Sequence, residues 1–495
     1  MIDIYCNSDR YEYDIRALVM AFFPHDNLQY HILSEENNTG INITLEDNDI
    51  CISAGDVKET YHFSCEADRC SYRDELKRCL YRALSSYTGE ELAWGTLTGV
   101  RPAKIPMMHM LSGTTKETAV EHMKNAYYCS EEKASLCAEV ADREIGILEK
   151  AGFGKGYSIY IGIPFCPTVC NYCSFSSVSL NKVKDADDLM RKYIYALKKE
   201  CDYAGSIFTD RPLTSVYIGG GTPTALNEKY LKELMDIIKA DFCMENTLEF
   251  CVEAGRPDSI NEQKLLILKE AGVDRISVNP QTMKDETLSL IGRRHTSERT
   301  IEAFNMARAC GFDNINMDLI AGLNGETVKD FKDTLNEIKK LSPESFTVHS
   351  LVVKRASEYR KMREEEGISH TEGVVSAMLF EAMEYAKNNG YNPYYMYRQK
   401  NKAGLGEGHV LENVGYAKPG KESVYNVMIM EEKQTILALG AGAQSKYVKP
   451  YNPYSGANPE IVRIANVKNV YEYIDRIDEM IERKKRWLDG QIVNQ

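Results

Sequence analysis

Three cysteines, Cys166, Cys170 and Cys173, stand in the run Tyr160-Ile161-Gly162-Ile163-Pro164-Phe165-Cys166-Pro167-Thr168-Val169-Cys170-Asn171-Tyr172-Cys173-Ser174-Phe175. Thiolates spaced C-x3-C-x2-C in a loop can each take one iron of a [4Fe-4S] cube, which normally has four cysteine ligands. The fourth iron is then left open to bind a substrate directly, whereas a fully ligated cluster does little beyond carrying electrons. A zinc site and a set of unrelated buried thiols are the competing readings. Zinc favours two separated ligand pairs, and neither a histidine nor a second cysteine pair lies close in sequence. The remaining cysteines of the 14 are scattered along the chain and read as core residues or idle thiols.

One further motif can carry chemistry. Gly219-Gly220-Gly221-Thr222-Pro223 lacks the side chains that would keep a backbone away from a ligand, so it reads equally as a turn or a binding site. Trp94-Gly95-Thr96-Leu97-Thr98-Gly99-Val100-Arg101-Pro102 is turn-rich and reads as a buried structural loop rather than a binding loop.

The elements that must position these residues follow from the pattern of the chain. From about residue 155, short β-branched runs alternate with amphipathic stretches. Strands are expected at Tyr157 to Ile163, Ser215 to Gly219, Thr247 to Glu253, Arg275 to Val278, Asn314 to Ile320 and Ser345 to Val352. Helices are expected at Asp188 to Tyr203, Glu228 to Ala240, Asn261 to Ala271, Ser297 to Cys310 and Thr327 to Leu341. This alternation predicts an α/β fold with a parallel sheet, either doubly wound or closed toward a barrel, with its chemistry at the C-terminal strand ends. The cysteine run leaves the first strand and the glycine run leaves the second.

Residues 1–150 mix alternating stretches such as Ile41 to Leu45 with helical ones such as Arg73 to Ser86, as expected of an N-terminal α+β accessory domain. Residues 151–355 form the expected core, and 356–495 a C-terminal extension on the substrate side that caps it. Val470 to Trp487 reads as a charged surface helix. A chain of 495 residues is long enough for two or three such domains.

The formal net charge of -13 argues against a nucleic-acid partner held by general electrostatics, because that binding neutralises phosphates with Lys and Arg. The first apolar stretch, Ala17 to Phe23, is too short for a membrane span and lacks a basic start. A cytoplasmic location is expected, and a reducing compartment favours metal over disulfide for clustered cysteines.

Taken with their order along the chain, these motifs resemble the signature of the radical S-adenosylmethionine (SAM) superfamily. The resemblance implies a partial (β/α)6 barrel, a [4Fe-4S] cluster on Cys166, Cys170 and Cys173, and SAM chelating the open iron. The I-P-F-C run, G-G-G-T-P-T, Glu253, Arg275 to Met283, Gly292-Arg293-Arg294-His295 and Asn316 to Leu323 are similar to the family of oxygen-independent coproporphyrinogen III oxidase. The long N-terminal domain with its Trp94 loop, Gly162, and Tyr397-Arg398-Gln399-Lys400 with Leu411 to Tyr416 resemble its HemZ-type subgroup of coproporphyrinogen dehydrogenases. Gly404 to His409 looks like an insertion relative to that subgroup.

Carried onto this chain, the resemblance implies that Tyr160, Gly220 and Glu253 contact SAM, with Tyr160 and Glu253 at the reacting centre. A second SAM, found beside the first in the oxidase, would meet Tyr172, Gly221, Thr222, Gln281, Arg293 and Asp318. An ordinary ion pair between barrel elements is the alternative for Arg293 and Asp318. Gly162 replaces a histidine of the main oxidase branch, and Phe175 stands at that branch's fourth cysteine.

The implied reaction is oxidative decarboxylation of two propionates of coproporphyrinogen III, giving protoporphyrinogen IX for haem biosynthesis, with electrons from a donor such as flavodoxin or ferredoxin. Arg398, Lys400 and Arg101 are candidates to bind the propionates, since an arginine fork suits carboxylates. The alternatives are a haem chaperone of the same family and a radical SAM enzyme that cleaves or methylates a tetrapyrrole.

Overall fold

A computed structural model describes the whole chain except residues 25, 33–39, 64–68, 174, 352–372, 400–411, 455–457, 489 and 491–495. Val352, Lys400, Leu411 and the Gly404 to His409 run therefore lie outside the described residues. The chain divides into two compact units, Met1–Asp142 with Met396–Asn413, and Arg143–Tyr395 with Val414–Gln495.

The first unit holds a five-stranded sheet of β1 (Ile2–Cys6), β2 (Leu28–Ile32), β3 (Ile41–Leu45), β4 (Asp49–Ala54) and β5 (Val57–His62), in the order β2-β1-β3-β4-β5. β1 runs parallel to both neighbours, while β3, β4 and β5 form an antiparallel meander. Period-two burial along β4 puts Ile50, Ile52 and Ala54 inward. There they join Leu18 and Val19 from the helix Glu12–Phe22, and Leu76, Leu80 and Leu84 from Arg69–Thr88, in one apolar core.

The Trp94 loop belongs to this unit and is a buried structural loop, as the sequence suggests. Trp94 and Thr96 are buried, and the Thr96 amide donates to Tyr127 O. The Arg398 guanidinium lies 4.7 Å from the Trp94 ring centroid, and its Nη1 donates to Leu97 O at 2.6 Å. Arg398 is thus a strut of the loop.

The second unit is built on an eleven-stranded sheet. Its central strands are β6 (Tyr157–Ile163), β9 (Leu213–Gly220), β10 (Glu249–Val252), β11 (Arg275–Ser277), β12 (Ile315–Ala321) and β13 (Ser345–Ser350). They lie side by side in chain order, all parallel, as successive βα units require. Two short strands, β7 (Phe165–Cys166) and β8 (Val178–Ser179), pair on their own.

The five crossover helices, Ala186–Gly205, Glu228–Asp241, Glu262–Glu270, Ser297–Ala309 and Val328–Leu341, all start on a side-chain cap. Asp185, Asn227, Asn261, Thr296 and Thr327 each accept from a backbone amide of the first turn. Each cap contributes about 1 kcal/mol and marks where loop ends and helix begins.

The C-terminal region adds further strands to the same sheet, where the sequence shows no regular spacing. β16 (Thr435–Leu439) runs parallel to β6, followed outward by antiparallel β17 (Gln444–Val448) and β18 (Ile461–Ala465). β14 (Asn392–Arg398) and β15 (Glu412–Ala417) extend the opposite edge beyond β13.

At the C-terminus the charged surface helix expected over Val470 to Trp487 is present, interrupted at Arg476 into Val470–Asp475 and Ile477–Leu488. Tyr473, Met480, Lys484 and Trp487 are buried. The physical reason is a polar anchor: Glu200 accepts from Lys484 Nζ (2.6 Å), Tyr473 hydroxyl (2.6 Å), Asn466 Nδ2 (2.8 Å) and the Gly440 amide (2.8 Å). Lys484 is a charge of this segment consumed inside the fold, while Glu472, Glu479 and Arg486 stay exposed.

Candidate active site

Register places the polar residues of the central strands on one face. Ser158 pairs with Ser215 and Ser215 with Glu249; Tyr160 pairs with Tyr217, Tyr217 with Cys251, and Cys251 with Arg275. One step higher, Ser277 pairs with Asn316 and Asn316 with Ser345, and above these Asp318 pairs with Thr347. Because side chains alternate with period two, these rows stack in layers toward the C-terminal strand ends.

At the lower level a buried network closes the interior. Arg275 donates to Asn314 Oδ1, Lys421 O and Ser345 Oγ. Glu249 accepts from Ser423 Oγ and from the amides of Val424 and Tyr425, at the N-terminus of the helix Val424–Glu431. That anchoring lays Tyr425 against Tyr217, with ring centroids 4.3 Å apart, and 6.0 Å from Tyr160.

Glu253 stands just beyond β10. Tyr217 donates its hydroxyl to the Glu253 carboxylate. Burial pushes the Glu253 pKa up to about 7, with the Tyr217 bond pulling the other way and the Asp318 charge adding to the rise.

The glycine motif is fitted to the cysteine loop. The Gly221 amide donates to Ile163 O (2.8 Å) and the Thr222 amide to Phe165 O (2.7 Å), which ties the two loops together. Gly220 has φ +107°, a conformation L side chains rarely adopt, and a Cβ at Gly221 would sit 2.5 Å from Phe165 O. Thr222 Oγ1 lies 3.6 Å from Cys166 Sγ. The turn and site readings are thus one object: a turn that brings backbone against the cysteine loop.

Cys166 is buried, while Cys170 and Cys173 are half-buried. Burial raises the Cys173 pKa, and the nearby Cys170 and Cys166 add to the rise, so the three sulfurs lie within electrostatic reach of one another. Among the described residues no three His, Cys, Asp or Glu side chains gather as ligands of one ion. A cube sets each thiolate on its own iron and asks for a wider triangle than one ion does.

The outer positions converge through Asn279. Arg293, 7% exposed, donates from Nη1 to Asn279 O (2.6 Å) and faces Tyr172 hydroxyl from Nη2 at 3.4 Å. Asn279 Nδ2 donates to Asp318 Oδ2 (2.7 Å), and the Asp318 amide donates to Asn279 Oδ1 (3.1 Å). Arg293 and Asp318 are therefore joined through Asn279, and the ion pair considered as their alternative role is not what holds them. Burial raises the Asp318 pKa, but His349 at 3.8 Å and the hydrogen bonds of Asn316 and Thr347 outweigh it, and the net shift is downward.

Gln281 is a non-glycine residue at φ +69°, held by its amide to Asp318 O (3.0 Å) and its carbonyl to the Ile320 amide (2.9 Å). Strain of this kind persists where the surroundings over-determine it, and it clusters at functional sites.

SAM and a [4Fe-4S] cluster fit the residues present. Arg293 Nε and Ser277 Oγ are buried without a hydrogen-bond partner among the described residues; Ser277 belongs to the polar rows of the strands, and Arg293 reaches Asn279 O from the loop after the helix Asp285–Leu290. A polar ligand there would satisfy them. Asn279 lies in the Arg275 to Met283 run, while Tyr217, Tyr425, His349 and Arg256 are members of the site that motif reading missed. Only Arg256, three residues past Glu253 and beside the acidic Asp258, carried a local signal.

A parallel (β/α)6 sheet with a three-cysteine loop on its first strand and a glycine turn on its second defines a radical SAM protein. Residues 160–338 match the Radical SAM superfamily profile. The oxygen-independent coproporphyrinogen-III oxidase-like protein HemZ of Bacillus subtilis is 41% identical over 410 residues, 82% of this chain and 79% of that protein. The chain belongs to this HemZ family within the coproporphyrinogen oxidase branch of the radical SAM superfamily.

The heme chaperone HemW of B. subtilis is 34% identical over 324 residues, 65% of this chain and 76% of its own. The solved coproporphyrinogen III oxidase (HemN) of Escherichia coli superposes with TM-score 0.51 at 22% identity, covering 68% of this chain and 73% of that one, which bears out the fold. No described helix is long and apolar enough to cross a membrane.

Proposed function

We propose that this protein carries out the oxygen-independent oxidative decarboxylation of coproporphyrinogen III to protoporphyrinogen IX, with Cys166, Cys170 and Cys173 as the cluster ligands. The observation that carries the reading is the seating of the Gly220-Gly221 turn on the cysteine loop, which sets Thr222 beside Cys166. Bound there, a [4Fe-4S] cluster and SAM would supply the one-electron chemistry that removes a hydrogen from the propionate β-carbon, with carbon dioxide leaving and an external acceptor taking the remaining electron.

The chain's own groups bind, orient and exclude water. Tyr160 and Glu253 hold SAM, Glu253 by accepting from its ribose hydroxyls. Tyr172, Gly221, Thr222, Gln281, Arg293 and Asp318 line a neighbouring position for a second SAM, and the stacked rings of Tyr160, Tyr217 and Tyr425 form a dry floor beneath. In this reading residues 1–150, 151–355 and 356–495 are the accessory domain, the catalytic core and the substrate-side extension. A cytoplasmic flavodoxin or ferredoxin class of protein delivers the electron.

Identity with HemZ over most of the chain favours an enzyme of this branch. The likeness to HemW favours haem delivery as the second reading, since Phe175 stands at the oxidase's fourth cysteine. Anaerobic reconstitution followed by SAM, reductant and coproporphyrinogen III separates them. Loss of two carboxyl groups with formation of 5'-deoxyadenosine supports the dehydrogenase. Deoxyadenosine without porphyrin change rejects that substrate, and tight haem binding without turnover points to the chaperone.

A further inference from the structure

Arg256 follows Glu253 by three residues and turns back under the cysteine loop. Its side chain is 3% exposed, yet it makes five hydrogen bonds to groups on two segments. Nη1 donates to Cys170 Sγ at 3.3 Å and to Thr168 O at 3.1 Å, and Nη2 donates to Thr168 Oγ1 at 3.1 Å. On its other edge, Nε and Nη2 grip Asp258 at 2.9 and 2.8 Å. Asp258 is itself faced by the buried His295 at 3.7 Å. This is a bidentate clamp that fixes the guanidinium plane.

The three thiols are therefore not equivalent. Cys170 receives a charged donor, Cys166 faces the neutral hydroxyl of Thr222, and the Cys173 amide donates to Cys170 O at 3.1 Å within the loop.

We propose that Arg256, clamped by Asp258, is a positioning residue that holds the Thr168–Cys170 turn in place before any cluster binds and sets the ease of reduction of the cluster through Cys170. This rests on the reading that the three cysteines hold a [4Fe-4S] cluster. A donor and a positive charge at a ligand sulfur favour the more negative, reduced state, because hydrogen bonds to the sulfurs and net charge are what tune such clusters. An arginine is suited to the task because it stays charged while buried and its fork spends one edge on Asp258 and the other on the loop.

The test uses the full chain as wild type, R256Q, R256M, R256K and D258N. Hydrogen exchange over residues 168–173 in the cluster-free protein reads the clamp; iron content and a mediated, EPR-monitored reductive titration of the reconstituted protein read the cluster. R256Q and D258N are expected to raise exchange several-fold in the cluster-free protein. R256Q is expected to lower the reduction equilibrium at least tenfold, which is about 59 mV for one electron. R256K, which keeps the charge without the fork, is expected to fall between.

Exchange and potential in R256Q and R256K that match wild type overturn the proposal. If R256Q loses its iron, the neutral R256M carries the potential measurement, and a value equal to wild type again overturns the electronic role. A wild-type protein that cannot hold four irons overturns the cluster reading and with it the electronic role, while the exchange data still confirm or reject the clamp.

Discussion

Tyr217 on β9 donates its hydroxyl to the Glu253 carboxylate just beyond β10, and the Tyr217 ring is sandwiched against Tyr425. The phenol is fixed by stacking, so it presents its proton to the carboxylate without having to reorganise. The pair therefore forms a rigid wall at the level of the glycine turn rather than a mobile side-chain contact.

This pair has a pH signature. The Glu253 pKa is raised from 4.5 to about 7, chiefly by burial, so the folded state holds its proton more tightly than the unfolded chain does. The associated stability is fully present below about pH 4.5 and is lost as pH rises through about 7. In the ligand-free protein, urea unfolding at about pH 5 and about pH 8 is expected to show a loss on the order of 2 kcal/mol that E253Q lacks. Y217F removes a bond that favours the ionised form and is expected to move the decline to higher pH. Equal pH dependence in wild type and E253Q would refute the assignment.

Lys484 and Glu200 are both almost fully buried, so removing one leaves the other's charge uncompensated. K484M is expected to cost about 3–5 kcal/mol in denaturant unfolding, with the double variant E200Q/K484M recovering part of it. A loss below about 1 kcal/mol for K484M would mean that Glu200 is adequately held by Tyr473, Asn466 and the Gly440 amide alone.

Gln281 inverts an ordinary rule. At φ +69° a glycine is unstrained and an alanine is not. Q281G is expected to be more stable than Q281A by about 1 kcal/mol, whereas in an ordinary strand the alanine would win. Under the proposed second-SAM role of Gln281, both variants should weaken SAM binding alike in calorimetry, because both lack the amide. A more stable Q281A would show that the left-handed backbone relaxes once the side chain is gone.

How much was legible beforehand follows from the range of each signal. The six core strands and five crossover helices are local patterns. Alternation and amphipathic spacing place them to within a few residues of where they lie. The cysteine spacing and the glycine run are equally local, and their placement on the first two strand ends follows from the same periodicity.

The Glu200–Lys484 pair joins residues 284 positions apart, and nothing in either neighbourhood announces it. The same holds for Tyr425 on Tyr217 and for β16 beside β6, since only the folded sheet brings them together. Arg398 shows the other limit: sequence offers a free fork for a carboxylate, while the fold lays it on Trp94 and Leu97 O. By itself, then, the sequence determined what short-range sterics and hydrophobic period decide: the alternation of strands and helices and the presence of the three-thiol loop. The tertiary structure decided which buried charges are paired, which rings stack and which thiol receives the arginine, because those energies arise only when distant segments exclude water from between them.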